Sequence, residues 1–190
     1  MSQFYYEVDK ADLALIESKL KGVSTKSPSA LRNAINRTAT KGKKMITSGI
    51  KESYTMKGRA YGKEITIERA TTGHLDATIK AQGKPRTLKE YKYTAPKKGV
   101  KADIIKTGLK EILSSQGGGR PFVAKGGSVA GLIVQRTSKK RYPLRVLKSV
   151  SVPKMVEMVY KGERGSEGEL DPKIKKALHD EIMNEIKKLI

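Results

Sequence analysis

Two histidines, His74 and His179, are the side chains best suited by type to move a proton or hold a metal near neutral pH. Their surroundings do not support either task. His74 follows a Thr72-Gly73 turn, and His179 precedes Asp180 and Glu181, which read as a solvated helix face. No His-x-x-x-His or Glu-x-x-His spacing occurs. Cysteine is absent, which excludes disulfides and thiolate metal sites. The glycine-rich runs GGGRPF, from Gly117, and GGSVAG, from Gly126, have a composition that could cradle phosphate. Neither ends in Gly-Lys-Ser/Thr, and neither has the strand–glycine–helix order of a dinucleotide site. They read as loops that let backbone approach a neighbour closely. The expectation is a chain that is not an enzyme, with no cofactor and no metal.

Positive charge is the chemistry the chain has in quantity. Lys and Arg number 40 against 19 Asp and Glu, a net charge of +21. Self-repulsion on that scale favours an anionic or acidic partner. The charge is unevenly spread. Nine cations and no carboxylate lie between Glu17 and Glu52, and the same holds between Glu111 and Glu157. From Glu157 onward eight acids nearly balance seven bases. Candidate polyanion- or partner-contacting residues are therefore Arg136, Lys139, Lys140, Arg141, Arg145 and Lys148, with Arg37, Lys41, Lys43 and Lys44 from the first stretch. Simple solvation is the competing reading of the later group, because lysines commonly guard exposed strand edges. Base-specific readout is not indicated: there is no Trp, Phe occurs twice, and the eight Tyr do not interleave with cations as stacking platforms do.

Periodicity supplies the elements that hold these charges. Leu13, Ile16 and Leu20 predict a short helix over Asp9–Gly22. Ser27-Pro28 is a helix start, and Leu31, Ala34, Ile35, Thr38, Ala39, Met45, Ile46 and Ile50 form one apolar stripe from it. Gly42 and Gly49 weaken that helix by about 1 kcal/mol each relative to Ala, and a break near Gly42 is compatible with the pattern. Ile65 and Ile67, then Leu75, Ala77 and Ile79 beyond Thr72-Gly73, predict a hairpin. Leu88–Tyr93 alternates like a strand, whereas Ala102–Leu113 suits helix or strand. Val129–Val150 reads as two strands around a bend at Ser138–Arg141, with Pro143 at the second strand's entry.

GERGSEGE, from Gly162, is a polar linker, and Asp171-Pro172 opens a helix with Ile174, Leu178, Ile182, Ile186 and Leu189 as its stripe. The fold class predicted is α+β: a long N-terminal helix packed on an antiparallel sheet that includes Gly131–Gln135 and Leu144–Val150, plus a C-terminal helix. The expected division is an α+β domain at 1–160, a linker at 161–170 and an amphipathic helix at 171–190. The linker gives that helix slack to bury its stripe on an adjacent subunit. No stretch reaches the ~18 apolar residues of a membrane span, and MSQFYYEVDK lacks a signal-peptide pattern, so no membrane partner is expected.

Two regions resemble a known family. One is ALRNAINRTATKGKKM, Ala30–Met45, an Ala-rich face around Asn-Arg-Thr. The other is GGGRPFVAKGGSVAGLIVQRTSKKRYPLRVLKSVSVPKM, Gly117–Met155, a loop with a buried aromatic, a strand ending in Arg, a basic turn, Arg-Tyr-Pro-Leu and Val-Ser-Val-Pro. In order and spacing they are similar to phage and prophage minor tail proteins of the Z type, the tail-completion or neck proteins of long-tailed phages. The resemblance implies a virion part at the head-proximal end of the tail tube, made in the bacterial host cytoplasm. It also implies a homo-oligomeric, hexameric ring as tail completion, tail terminator or collar. Implied partners are the tail tube or tail terminator, connector and sheath-type proteins, and DNA in the lumen or the tape-measure protein. It implies no catalytic residue. A free-standing basic nucleic-acid-binding protein without sequence specificity is the alternative. Residues from Tyr54 to Ser115 carry none of the likeness.

Overall fold

The structure, a computed structural model, describes residues 27–58, 61–97, 99–106, 108–112, 119–163 and 170–189. The helix expected over Asp9–Gly22 lies outside the described residues. Helix α1 runs unbroken over Ser27–Ser53, 27 residues, or about 40 Å. Its stripe is core: Ala34, Ile35, Ile46 and Ile50 are all buried. The two glycines do not break the helix, because each sits where another element presses against it. A Cβ on Gly42 would lie 3.2 Å from Ile79 Cδ1 and 3.5 Å from Ile174 Cδ1, and one on Gly49 would collide with Val159 Cγ1. Close approach offsets the propensity cost.

A single helical turn, α2 (Tyr61–Glu64), leads into strand β1 (Ile65–Glu68), which pairs antiparallel with β2 (Thr78–Ala81). Ile65 faces Ala81 and Ile67 faces Ile79 across the ladder. The chain reverses at Thr72-Gly73 as expected: the Thr71 N–H donates to the His74 carbonyl at 2.8 Å, and the His74 N–H to the Thr71 hydroxyl at 3.1 Å.

The alternating run from Leu88 is a 3-10 turn, Leu88–Glu90, with strand β3 (Lys92–Thr94) only after it. The Glu90 carboxylate accepts from both the N–H and the hydroxyl of Thr87, at 3.1 Å each, and that local closure prevails over the strand pattern. The ambiguous segment resolves as strands: β3, β4 (Lys101–Asp103) and β5 (Lys110–Glu111) form one sheet. Strands β6 (Phe122–Val123), β7 (Ile133–Arg136) and β8 (Leu144–Val146) form another, with β7 central.

Helix α3 (Val152–Tyr160), opened by Ser151 with Pro153 in its first turn, is a core helix that the sequence pattern did not single out. Helix α4 (Leu170–Leu189) closes the described chain. The main core gathers Ile46, Ile50, Ile65, Ile79, Met155 and Ile174, from α1, the β1–β2 hairpin, α3 and α4. A second packs Ala34 and Ile35 against Leu178 and Ile182.

The mixed α+β class with long first and last helices holds, and two particulars differ. The α1 stripe packs on β1–β2, α3 and α4, whereas β7 belongs to a third cluster with Leu88, Val100 and Ile133. Alternation identifies strands but not the layer they cover. Helix α4 does not keep its stripe for a neighbour: Leu170, Ile174, Leu178 and Ile182 are buried within this chain's own clusters, with Ile174, Leu178 and Ile182 against α1 residues. Of the expected linker, residues 164–169 lie outside the described residues, while Gly162 and Glu163 close α3 by donating to Val159 and Met158 carbonyls at 3.2 and 2.9 Å.

Candidate polyanion- and partner-facing surfaces

The β7–β8 hairpin carries the later basic group. Its base is fixed by apolar residues, with Ile133 and Val134 fully buried. A tight turn precedes it, where the Gly131 N–H donates to the Ala124 carbonyl at 2.7 Å and Gly131 takes a φ of 73° that favours glycine. At the far end Pro143 cannot donate, but its carbonyl accepts from the Thr137 N–H at 3.4 Å and hydroxyl at 3.3 Å. That contact closes the loop.

Arg136, Lys139, Lys140, Arg141, Arg145 and Lys148 are all exposed. In the ladder Arg136 faces Leu144 and Gln135 faces Arg145, so the two arginines leave opposite faces of the ribbon. The Arg136 guanidinium stands 5.7 Å from the Phe122 ring centre, and that of Arg141 stands 5.8 Å from the Tyr142 ring. Tyr142 is 64% exposed. Sequence reasoning quoted it but did not single it out. An aromatic between Arg and Pro at a polar bend was the available signal. Lys148 sits nearer the base, bridged through its backbone to Thr87. Among the described residues none of the six pairs with a carboxylate.

The earlier group is different. Lys41 pairs with Glu181 at 2.5 Å. Arg37 donates to Glu185 and stands 3.7 Å from Glu181. Both carboxylates are buried, which corrects the reading of Glu181 as part of a solvated face; Asp180 and His179 are indeed exposed. A hydrogen bond from Lys188, and then the charge of Arg37, hold the Glu185 carboxyl below its usual range. Lys43 is half-buried and Lys44 exposed, and neither has an ion pair among the described residues. The first acid-free stretch is thus partly balanced in space by α4.

Two further constellations escaped the sequence. Asn36 binds both backbone groups of Ala70 through its side-chain amide. Arg86 joins Glu64 to Glu90, at 3.1 Å from the latter, where the hairpin, the 3-10 turn and the β8 strand region meet. The Ser149 N–H donates to the Arg86 carbonyl there at 2.7 Å. Among the described residues no group of three or more His, Asp or Glu is placed to hold a metal ion. No described helix is long and apolar enough to cross a membrane.

A family model for prophage minor tail protein Z (GPZ) matches residues 13–190. The chain belongs to the minor tail protein Z family. The match takes in the stretch from Tyr54 to Ser115 that carried no likeness by motif, so the segments that form the β1–β2 hairpin and the β3–β4–β5 sheet lie within the matched region. Membership makes the protein a structural component of a phage tail, which works beside other tail proteins as part of the virion. No curated protein matches the chain, and no solved structure does. Within the Asn-Arg-Thr motif the structure gives each residue a task. Asn36 holds Ala70, Arg37 holds Glu185, and the buried Thr38 hydroxyl donates to the Ala34 carbonyl at 3.0 Å.

Proposed function

We propose that this member of the minor tail protein Z family is a ring subunit that completes the tail at its head-proximal end. It joins the tail tube or its terminator to the next neck component, and six copies close the ring. The observation that carries the reading is the division of charge. The α1 cations Arg37 and Lys41 are bound internally by Glu181 and Glu185, whereas the hairpin cations face outward without a carboxylate partner among the described residues. A packed frame with an exposed basic projection suits a subunit whose body contacts its neighbours and whose loops face anionic material. Copies at +21 each repel one another, so closure requires such material, either acidic surfaces of neighbouring tail proteins or DNA in the lumen. Electron microscopy of particles bearing a tagged copy tests this. The expected result is a six-fold density between tail tube and head. Label along the tube or at the distal tip overturns the assignment.

A further inference from the structure

The tip of the β7–β8 hairpin sends cations in three directions. Arg136 and Arg145 leave opposite faces of the two-stranded ribbon, while Lys139, Lys140 and Arg141 occupy the bend. Contact with a flat acidic patch on a protein uses one face of such a projection and leaves the opposite cation in water. A groove with anions on both walls uses every direction. The major groove of duplex DNA, about 12 Å wide, admits a two-stranded β-ribbon and has phosphates along both rims. Arg136 and Arg141 each lie against an aromatic ring, which limits the freedom a guanidinium loses when it binds a phosphate. The geometry points to the β7–β8 tip as a duplex-DNA contact: the ribbon enters a groove, and its cations bind phosphates on either wall without reading sequence. Phosphate contacts position a protein but carry no sequence information.

This deepens the proposed role and takes its setting from it, but the contact is tested on the purified full-length chain. Binding to a 30-base-pair duplex is followed by fluorescence anisotropy between about 50 and 200 mM salt. The slope of log affinity against log salt should fall by about 0.9 for each phosphate contact removed. The triple variant Lys139→Gln, Lys140→Gln, Arg141→Gln should therefore lose between two and three from that slope, estimated as about 0.9 per cation. The control Lys154→Gln, Lys161→Gln, at exposed lysines that both pair with Glu157, should keep the wild-type slope. Two random duplexes should bind alike. All positions in the triple variant are exposed, and a circular-dichroism melt confirms that it folds. A wild-type slope in the triple variant overturns the proposal, as does no binding at about 50 mM salt. Displacement of the duplex by polyglutamate at equal charge concentration also overturns it and assigns the tip to an acidic protein. Failed DNA binding alongside a six-fold neck density removes this contact and leaves the ring standing. DNA binding without such a density does the reverse.

Discussion

The Asn36 side-chain amide pairs with both backbone groups of Ala70, donating to its carbonyl at 3.0 Å and accepting from its N–H at 2.9 Å. Helix α1 thereby supplies Ala70, just past β1, with the two hydrogen bonds a neighbouring strand would give. Asn36→Asp removes the donor and sets a carboxylate against the carbonyl. We expect a loss of about 1–3 kcal/mol, the usual cost of leaving a sheltered polar group unmatched, read from urea midpoints. An unchanged midpoint means that water replaces the clamp.

Gly49 offers a test in which two effects oppose each other. Alanine improves helix propensity by about 1 kcal/mol, but its Cβ would meet Val159 Cγ1, and overpacking costs about 1–3 kcal/mol. Gly49→Ala should be net destabilising in thermal melts. Pairing it with Val159→Ala should recover part of the loss, giving a coupling of opposite sign. Gly62→Ala, where nothing among the described residues lies within 4 Å of the added carbon, should be neutral or better.

Helix α4 covers α1 within the chain, so removing it uncovers core. Deleting 171–190 should abolish cooperative folding rather than spare the fold and weaken assembly alone. Milder changes grade the effect: Ile174→Ala and Leu178→Ala should each cost about 2–5 kcal/mol. Denaturant titration of the two variants checks the size, and a soluble, cooperatively melting truncated chain would contradict the packing.

Acid should loosen the same contact. The Glu185 carboxyl is held below its ordinary value of 4.5, so its folded pKa is the lower of the two. Its contribution is complete above the unfolded value and disappears as pH falls through the folded one. The stability difference between wild type and Glu185→Gln should be constant above about pH 5 and shrink below about pH 4.5. Chemical denaturation across pH 3–7 measures it. A difference that grows toward acid would invert the sign.

Residues next to one another in the chain made themselves legible; residues meeting across it did not. The Ile35, Ile46 and Ile50 stripe was readable because helical period is local. Gly42 and Gly49 looked like weak points because propensity is local too, while Ile79 and Val159, which explain them, are remote. Arg37 and Lys41 counted as unopposed cations because Glu185 lies 148 positions from Arg37. The hairpin tip was legible as an exposed basic bend since its charge has no distant carboxylate partner among the described residues. Leu88–Glu90 misled because a side-chain closure from Glu90 to Thr87 is invisible to an alternation pattern.

The separation of α1 from α4 has a consequence for the making of the protein. On a ribosome, α1 emerges more than a hundred residues before the helix that covers it, at a few to about twenty residues per second. The part of its surface that packs on α4, with Ala34, Ile35 and Arg37, waits for several seconds at least without Leu178 or Glu185 to meet it. The frame can close only after translation has passed α4, and contacts of such long sequence separation form late and slowly. A chain broken off before Leu170 therefore never presents a finished surface to its neighbours. The fold thus completes its core only in chains synthesised through α4.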